Sequence, residues 1–330
     1  MQKFLSIFRK LFRTKSTFMQ NKKLLLSDLF ESEDLEKCKS YELELAYENI
    51  IDGDSNRDVL YHIDNLCYDA FKTLPLIKKE RHVLRFIKFP PQTDNNGNET
   101  VWDGMQCNII KDIQNHTITL GSPNKFNDPM DPLIRIWIAD KKVSSKTDKK
   151  IYNHIKKTLD KIRICCLVDS NINNNIFTNI FHKKNGYDNP LMWSHYADSH
   201  KGICIQYKIT QSNLVDNKDE IVRLLDIDYC KSFPLDGNIS FIDSLIVKSN
   251  YWEYEKETRL IMYSRNEKDK YCQLPNFEIE AVYMGVRIDS KKRDFLKHML
   301  KNSSIKLYQM KFSENDISKL IAKEIKFKHD

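Results

Sequence analysis

Glu255, Glu257 and Arg259, set one residue apart in Glu255-Lys256-Glu257-Thr258-Arg259, are the side chains of this sequence best suited to chemistry. Side chains alternate along a strand, so a strand beginning by Glu255 puts these three on one face and Thr258 and Leu260 on the other. Two carboxylates beside a guanidinium are costly to bury, because each charge needs a partner. The set serves either as a carboxylate pair that stabilises developing positive charge or as an ion-pair ladder at a sheet edge. Glu257 lies deeper in the strand and adjoins Arg259, which makes it the first catalytic candidate and Glu255 the second.

A second polar group lies in Trp193-Ser194-His195-Tyr196-Ala197-Asp198-Ser199-His200. His195 and Asp198, at i and i+3 with His200 nearby, form a general base, half a metal site, or a purely structural pair. A third group, Asn127-Asp128-Pro129-Met130-Asp131, either adds carboxylates to Glu255 and Glu257 for a metal-dependent nuclease or is a side-chain-capped turn. No Ser-His-Asp or Cys-His spacing stands out, and there is no Gly-rich phosphate loop. The eight cysteines form no C-x-x-C pair. Their expected state is that of free, mostly buried thiols in a cytoplasmic setting, with no metal bound.

These residues must be positioned by surrounding elements. Asn189 is a good N-cap, Pro190 is favoured at the first helical position, and Gly202 is suited to a left-handed helix end, so the spacing predicts a short helix feeding a strand. Met192, Trp193, Tyr196 and Ala197 share one side of that helix, and Ile203, Ile205 and Tyr207 alternate along the strand. Further strands are expected over Val83–Phe89, His116–Leu120, Ile162–Val168, around Ile227–Tyr229, and over Arg259–Tyr263 and Ile279–Gly285. Helices are expected over Trp102–Gln114 and Ser290–Leu300. Pro90-Pro91, Asn96-Gly97, Asp140–Lys150 and Asn171–Asn175 read as loops. The pattern is α+β: a mixed or antiparallel sheet core with flanking helices over 79–330, preceded by a helical N-terminal extension over 1–78.

Met1–Lys15 reads as an amphipathic helix, with Phe4, Ile7, Phe8, Leu11 and Phe12 on one side and Lys3, Arg9, Lys10 and Arg13 on the other. It either docks on a partner or membrane surface or folds onto its own domain. No apolar run approaches the roughly 20 residues of a membrane span. The net charge of +7 over 330 residues is too mild to demand a nucleic-acid partner.

Four ordered blocks resemble the bacterial domain of unknown function 2971 family. These are Gly121-Ser122-Pro123-Asn124-Lys125-Phe126-Asn127-Asp128-Pro129-Met130-Asp131, Trp193-Ser194-His195-Tyr196-Ala197-Asp198 with Lys201-Gly202 and Cys204-Ile205, Lys248–Ile261, and Ala281-Val282-Tyr283-Met284-Gly285. The resemblance covers the chain from about Arg81 onward and implies no particular chemistry. Glu255-x-Glu257 is also similar to the acidic motif of ADP-ribosyltransferases, in which a Glu holds a ribose hydroxyl of NAD and polarises the developing oxocarbenium. The order is similar as well: Arg85 or Lys88 on an early strand for the pyrophosphate, then Ser194, His195 and Tyr196 in the middle to hold the cofactor, then the late glutamates. This resemblance implies an ADP-ribosyltransferase-like fold and an NAD-using, ADP-ribosyl-transferring enzyme of the toxin or phage-defence kind, acting on a protein or nucleic acid. The competing expectations are a non-enzymatic ligand-sensing or partner-binding module and a metal-dependent nuclease.

Overall fold

The computed structural model describes residues 65, 67–89, 107–128, 130–132, 157, 159–170, 186–231, 242–266, 268–269 and 271–327. The expected helix at Met1–Lys15, most of the N-terminal extension, and the loops at Pro90-Pro91, Asn96-Gly97, Asp140–Lys150 and Asn171–Asn175 lie outside the described residues.

Alternating apolar residues build a large mixed sheet, as the α+β reading expects. Its strands are β1 (Arg81–Ile87), β2 (Ile118–Gly121), β3 (Ile162–Asp169), β4 (Ile203–Ile209), β5 (Glu220–Asp226), β8 (Glu257–Ser264), β9 (Tyr271–Leu274), β10 (Glu278–Met284), β11 (Lys306–Phe312) and β12 (Leu320–Glu324). They run in the order β12-β11-β10-β4-β1-β3-β2-β9, with β8 paired to β3 and β5 to β8. Every pairing in this sheet is antiparallel except β10 with β11. A separate parallel ribbon joins β6 (Asp228–Cys230) to β7 (Val247–Ser249). The helices are α1 (Asn108–Asn115), α2 (Pro190–Tyr196), α3 (Asp243–Ile246) and α4 (Ser290–Leu300). Among the described residues, no helix is long and apolar enough to cross a membrane.

The register decides which residues can meet. Leu84 pairs with Val168, and Val168 pairs with Glu257, so these three share one face. On that face Leu84, Val168, Cys204, Ala281 and Tyr283 form a core with Met192, Trp193 and Ala197 of the α2 segment. The other face carries Val83, Leu167, Ile205, Tyr207 and Leu260, covered by Ile110 and Ile113 of α1 and Leu296 and Leu300 of α4. Residues 67–72 are helical, and Phe71 stacks on Tyr263 at 5.7 Å, so this piece of the extension packs onto the sheet.

The α2 segment forms as its sequence dictates. The Asn189 side chain accepts from Leu191 N–H at 3.0 Å, and Trp193, fully buried, donates its indole N–H to Tyr187 O at 2.7 Å and meets Phe86 edge-on. Truncating such a buried aromatic costs about 3–5 kcal/mol. The expected left-handed end at Gly202 is corrected. The left-handed residues are Asp198 (φ 48°), Ser199 (49°) and His200 (70°). Gly202 is needed for closeness instead, since a Cβ there would lie 2.2 Å from Ile87 O.

Candidate active site

Five charged side chains meet on the α2 face of the sheet. Glu257 opens β8 and is buried there, its Oε1 accepting from Arg259 Nε at 2.7 Å and its Oε2 from Lys248 Nζ at 2.8 Å. Arg259, two residues on, points the same way, as strand alternation requires, and also donates to Asp131 Oδ2 and Leu245 O, each at 2.6 Å. Lys248 Nζ donates to Glu255 Oε2 at 2.6 Å and lies 3.7 Å from Asp131 Oδ2. Aromatic rings pack on both cations: Phe126 lies 5.4 Å from the Arg259 guanidinium and Trp252 lies 5.2 Å from the Lys248 ammonium. The β6–β7 ribbon sets Tyr229 beside Lys248, and the Tyr229 hydroxyl accepts from Glu257 N–H at 2.8 Å.

Glu255 arrives by a different route from the one expected. It ends a 3-10 turn, Asn250–Glu255, and Lys256 then takes a left-handed conformation (φ 47°) before β8 begins at Glu257. The strand therefore does not start by Glu255. The turn nevertheless delivers its carboxylate to Lys248, and its Oε1 accepts from the Tyr196 hydroxyl at 2.5 Å.

Three carboxylates share two cations, which leaves one negative charge in excess when all are ionised. Burial would push Glu257 up, but Arg259 and Lys248 outweigh it and hold the carboxyl at about 2. Burial pushes Glu255 above the usual carboxylate range, offset only in part by Lys248 and the Tyr196 hydroxyl. Burial also raises Asp131, with Arg259 opposing it. Burial would lower Lys248, yet Glu257 and Glu255 drive it up and keep it charged. Burial, with Glu255 alongside, raises Tyr196, so its hydroxyl stays a donor. Spare proton affinity thus sits on Glu255 and Asp131.

Of the seven residues expected at the site, the structure brings Glu255, Glu257 and Tyr196 together. His195 is exposed beside them, its ring 6.2 Å from Tyr196 and 6.3 Å from Tyr254. Ser194 turns away, donating to Pro190 O at 2.9 Å and lying 3.3 Å from His200 Nε2. Arg85 is on the opposite face of the sheet, 3.3 Å from Asp112 Oδ2, so it cannot serve a ligand held by Glu255. The sheet's alternation puts it there, since its neighbour Leu84 holds the α2 face. Lys88 is exposed beyond the end of β1, four residues on from Leu84, which is level with Glu257; that is about 13 Å along the strand. The expected convergence with Tyr196 and Glu257 is therefore corrected for Arg85.

Lys248 and Tyr229 were not singled out by spacing, and Asp131 entered only as a nuclease carboxylate. The signal for Lys248 was a lone cation at the end of Leu245-Ile246-Val247. Asp131 does reach Glu257, but Lys248 and Arg259 fill the space between the carboxylates where a divalent ion would need to sit. Among the described residues, no group of three His, Cys, Asp or Glu could hold a metal ion. No family model, curated protein or solved structure matches the chain.

Proposed function

We propose that the chain is an NAD-using enzyme that transfers ADP-ribose, with an ADP-ribosyltransferase-like site centred on Glu255 rather than Glu257. The observation that carries this reading is the division of labour between the two glutamates. Both glutamates are buried and paired through both oxygens, but Glu257 is held between two cations, whereas Glu255 shares only Lys248, has raised proton affinity and is tied to the neutral hydroxyl of Tyr196, a residue that reaches the surface. Tyr254, His195 and Trp252 surround this mouth and offer flat surfaces for a nicotinamide ring.

In the reaction, the bond between ribose C1′ and the nicotinamide nitrogen breaks, and the electron pair leaves with nicotinamide. Ionised Glu255 stabilises the resulting oxocarbenium, a nucleophile on the macromolecular target attacks C1′, and the raised carboxylate affinity lets Glu255 take the nucleophile's proton. Lys248 fixes the other carboxylate oxygen. Lys256, exposed in the turn between the glutamates and paired with exposed Glu253 at 3.1 Å, supplies a cation at the mouth that the pyrophosphate would take over from Glu253.

Membership of the domain of unknown function 2971 family is proposed alongside. Its support is that three resembling blocks contribute Phe126 and Asp131, Tyr196, and Lys248 through Arg259 to one cluster, while the fourth supplies Gly285, packed on the turn after α2. The second reading, a ligand-binding module, is favoured by the complete internal pairing of Glu257.

The test is NAD cleavage and transfer by the full chain and by Glu255→Gln. Loss of about 10²-fold in turnover with NAD binding retained is expected for removal of one key electrostatic group. Binding of NAD without turnover in the wild-type chain would establish the module instead, and neither binding nor turnover would end the NAD reading.

A further inference from the structure

We propose that a groove at the carboxyl ends of β10 and β11 binds a nucleoside monophosphate, either free or as one half of a dinucleotide. The groove has a volume of about 370 Å³ and lies away from the glutamates. β10, α4 and β11 form a parallel β-α-β unit, and ligands of open sheets bind beyond the carboxyl ends of such strands. The volume is in the range of small-molecule sites.

The lining defines the ligand's chemistry. Ile288, Met310 and Phe312 give an apolar floor, and Phe312 is 48% exposed, leaving ring surface free to stack. Arg293, in the first turn of α4, and Lys311 give two cations. Arg293 Nε makes no hydrogen bond among the described residues, and it lies 3.7 Å from the neighbouring Asp294 carboxylate.

Gln309 supplies the decisive group. Its Nε2 donates to Gly285 O at 2.9 Å, Met310 O at 3.1 Å and Met284 O at 3.4 Å. Three carbonyl acceptors fix which end of the amide is which. Its Oε1 is then a buried acceptor with no partner among the described residues, a state that is costly unless a donor arrives.

His200 repeats the pattern next to Phe312, their rings 6.5 Å apart. Ser194 spends its one hydroxyl proton on Pro190 O, so the contact with His200 Nε2 requires that nitrogen to donate. The Nδ1 of His200 is therefore a bare lone pair, also buried and without a partner among the described residues.

Acceptors awaiting donors, two cations of which one has a bare Nε, and an exposed ring over an apolar floor together describe one kind of ligand. An amine-bearing base stacks on Phe312 and donates to Gln309 Oε1, while the phosphate meets Arg293 and Lys311. A bare anion leaves the floor and Gln309 unused, and a hydrocarbon leaves the cations unused. Nothing in this assignment depends on Glu255.

The experiment is calorimetric titration of the full chain with AMP, NAD, adenosine and inorganic phosphate. AMP should bind at least about 10-fold more tightly than adenosine or phosphate, and Arg293→Ala should weaken it at least about 10-fold, the scale of one charge-assisted hydrogen bond. Phe312→Ala should weaken AMP and adenosine but not phosphate. If that variant fails to fold, Lys311→Ala, on an exposed side chain, replaces it and should weaken AMP and phosphate. Tighter binding of NAD than of AMP, lost in Arg293→Ala, identifies the dinucleotide as the source, and the reverse order identifies the free mononucleotide. AMP binding no tighter than phosphate, indifference to Arg293→Ala, or no saturable binding of AMP or NAD overturns the proposal.

Discussion

Glu257→Gln separates the structural from the catalytic glutamate. The substitution keeps shape but turns one oxygen into an NH2 group. Oε1 faces Arg259 Nε and Oε2 faces Lys248 Nζ, both donors, so either orientation of the new amide sets donor against donor. It also strips a negative charge from between two buried cations, and breaking a buried ion pair costs about 3–5 kcal/mol. At about 2–4 °C per kcal/mol for a domain of this scale, the melting temperature at neutral pH should fall by roughly 6–20 °C.

The pH dependence gives an independent check. The folded value of Glu257, about 2, lies below its ordinary 4.5, so its stabilisation is fully present above pH 4.5 and is lost as pH falls toward 2. Asp131 and Glu255 are raised and have the opposite sign, strengthening the fold as they take up protons on acidification. The gap in melting temperature between wild type and variant should therefore close between pH 4.5 and about 2. Thermal melts by circular dichroism across that window measure it. A variant within about 2 °C of wild type at pH 7, where one kcal/mol already shifts the melt by that much, or a gap that stays constant on acidification, would refute the account of the cluster.

Tyr196→Phe removes the hydroxyl that lowers Glu255, so the carboxyl should rise further and the acidic limb of the NAD turnover profile should move to higher pH, as a pH-rate series would show. Arg85→Ala should leave NAD turnover per folded molecule within about 2-fold, while losing its pairing with Asp112 lowers stability by a few kcal/mol; a selective loss of turnover would place Arg85 at the site after all. Gly285→Ala sets a Cβ 2.1 Å from His200 O, and the forced backbone shift should cost at least about 1–3 kcal/mol in urea denaturation.

Local signals were the legible ones. Asn189-Pro190 marked the start of α2, and α4 spans the expected Ser290–Leu300, capped by Asp289 accepting from Lys291 and Lys292 N–H. The shared face of Glu257 and Arg259 followed from strand alternation alone. β5 went unread because it is buried almost throughout and Arg223 interrupts its apolar run. That guanidinium is satisfied by Asp216 at 2.7 Å and by the carbonyls of Leu74, Val215 and Val222, none of which spacing reveals. β9 is only four residues long, and β12 at the sheet edge and β11 beside it carry polar, half-exposed patterns. The face of Arg85 was missed because its partners, Asp112 and the β1–β3–β8 register, are tertiary. Glu255 depended on the left-handed Lys256, a conformation that a lysine does not advertise.

The pairing of Asp131 with Arg259 spans 128 residues of chain, yet both belong to one knot of charges with Lys248, Glu255 and Glu257. Such a knot constrains how the sequence can drift. Removing either cation strands carboxylates in the interior, and removing Glu257 takes an acceptor from both Lys248 and Arg259, so single steps away from this set are steep, and the effects of paired changes should be strongly non-additive. Descendants of this chain should therefore either keep the set whole or exchange several members together, for instance Lys248 with Glu255 for a neutral pair. The cluster is inherited as a unit, although its parts are written in two distant stretches of the sequence, Asp131 and Lys248 through Arg259.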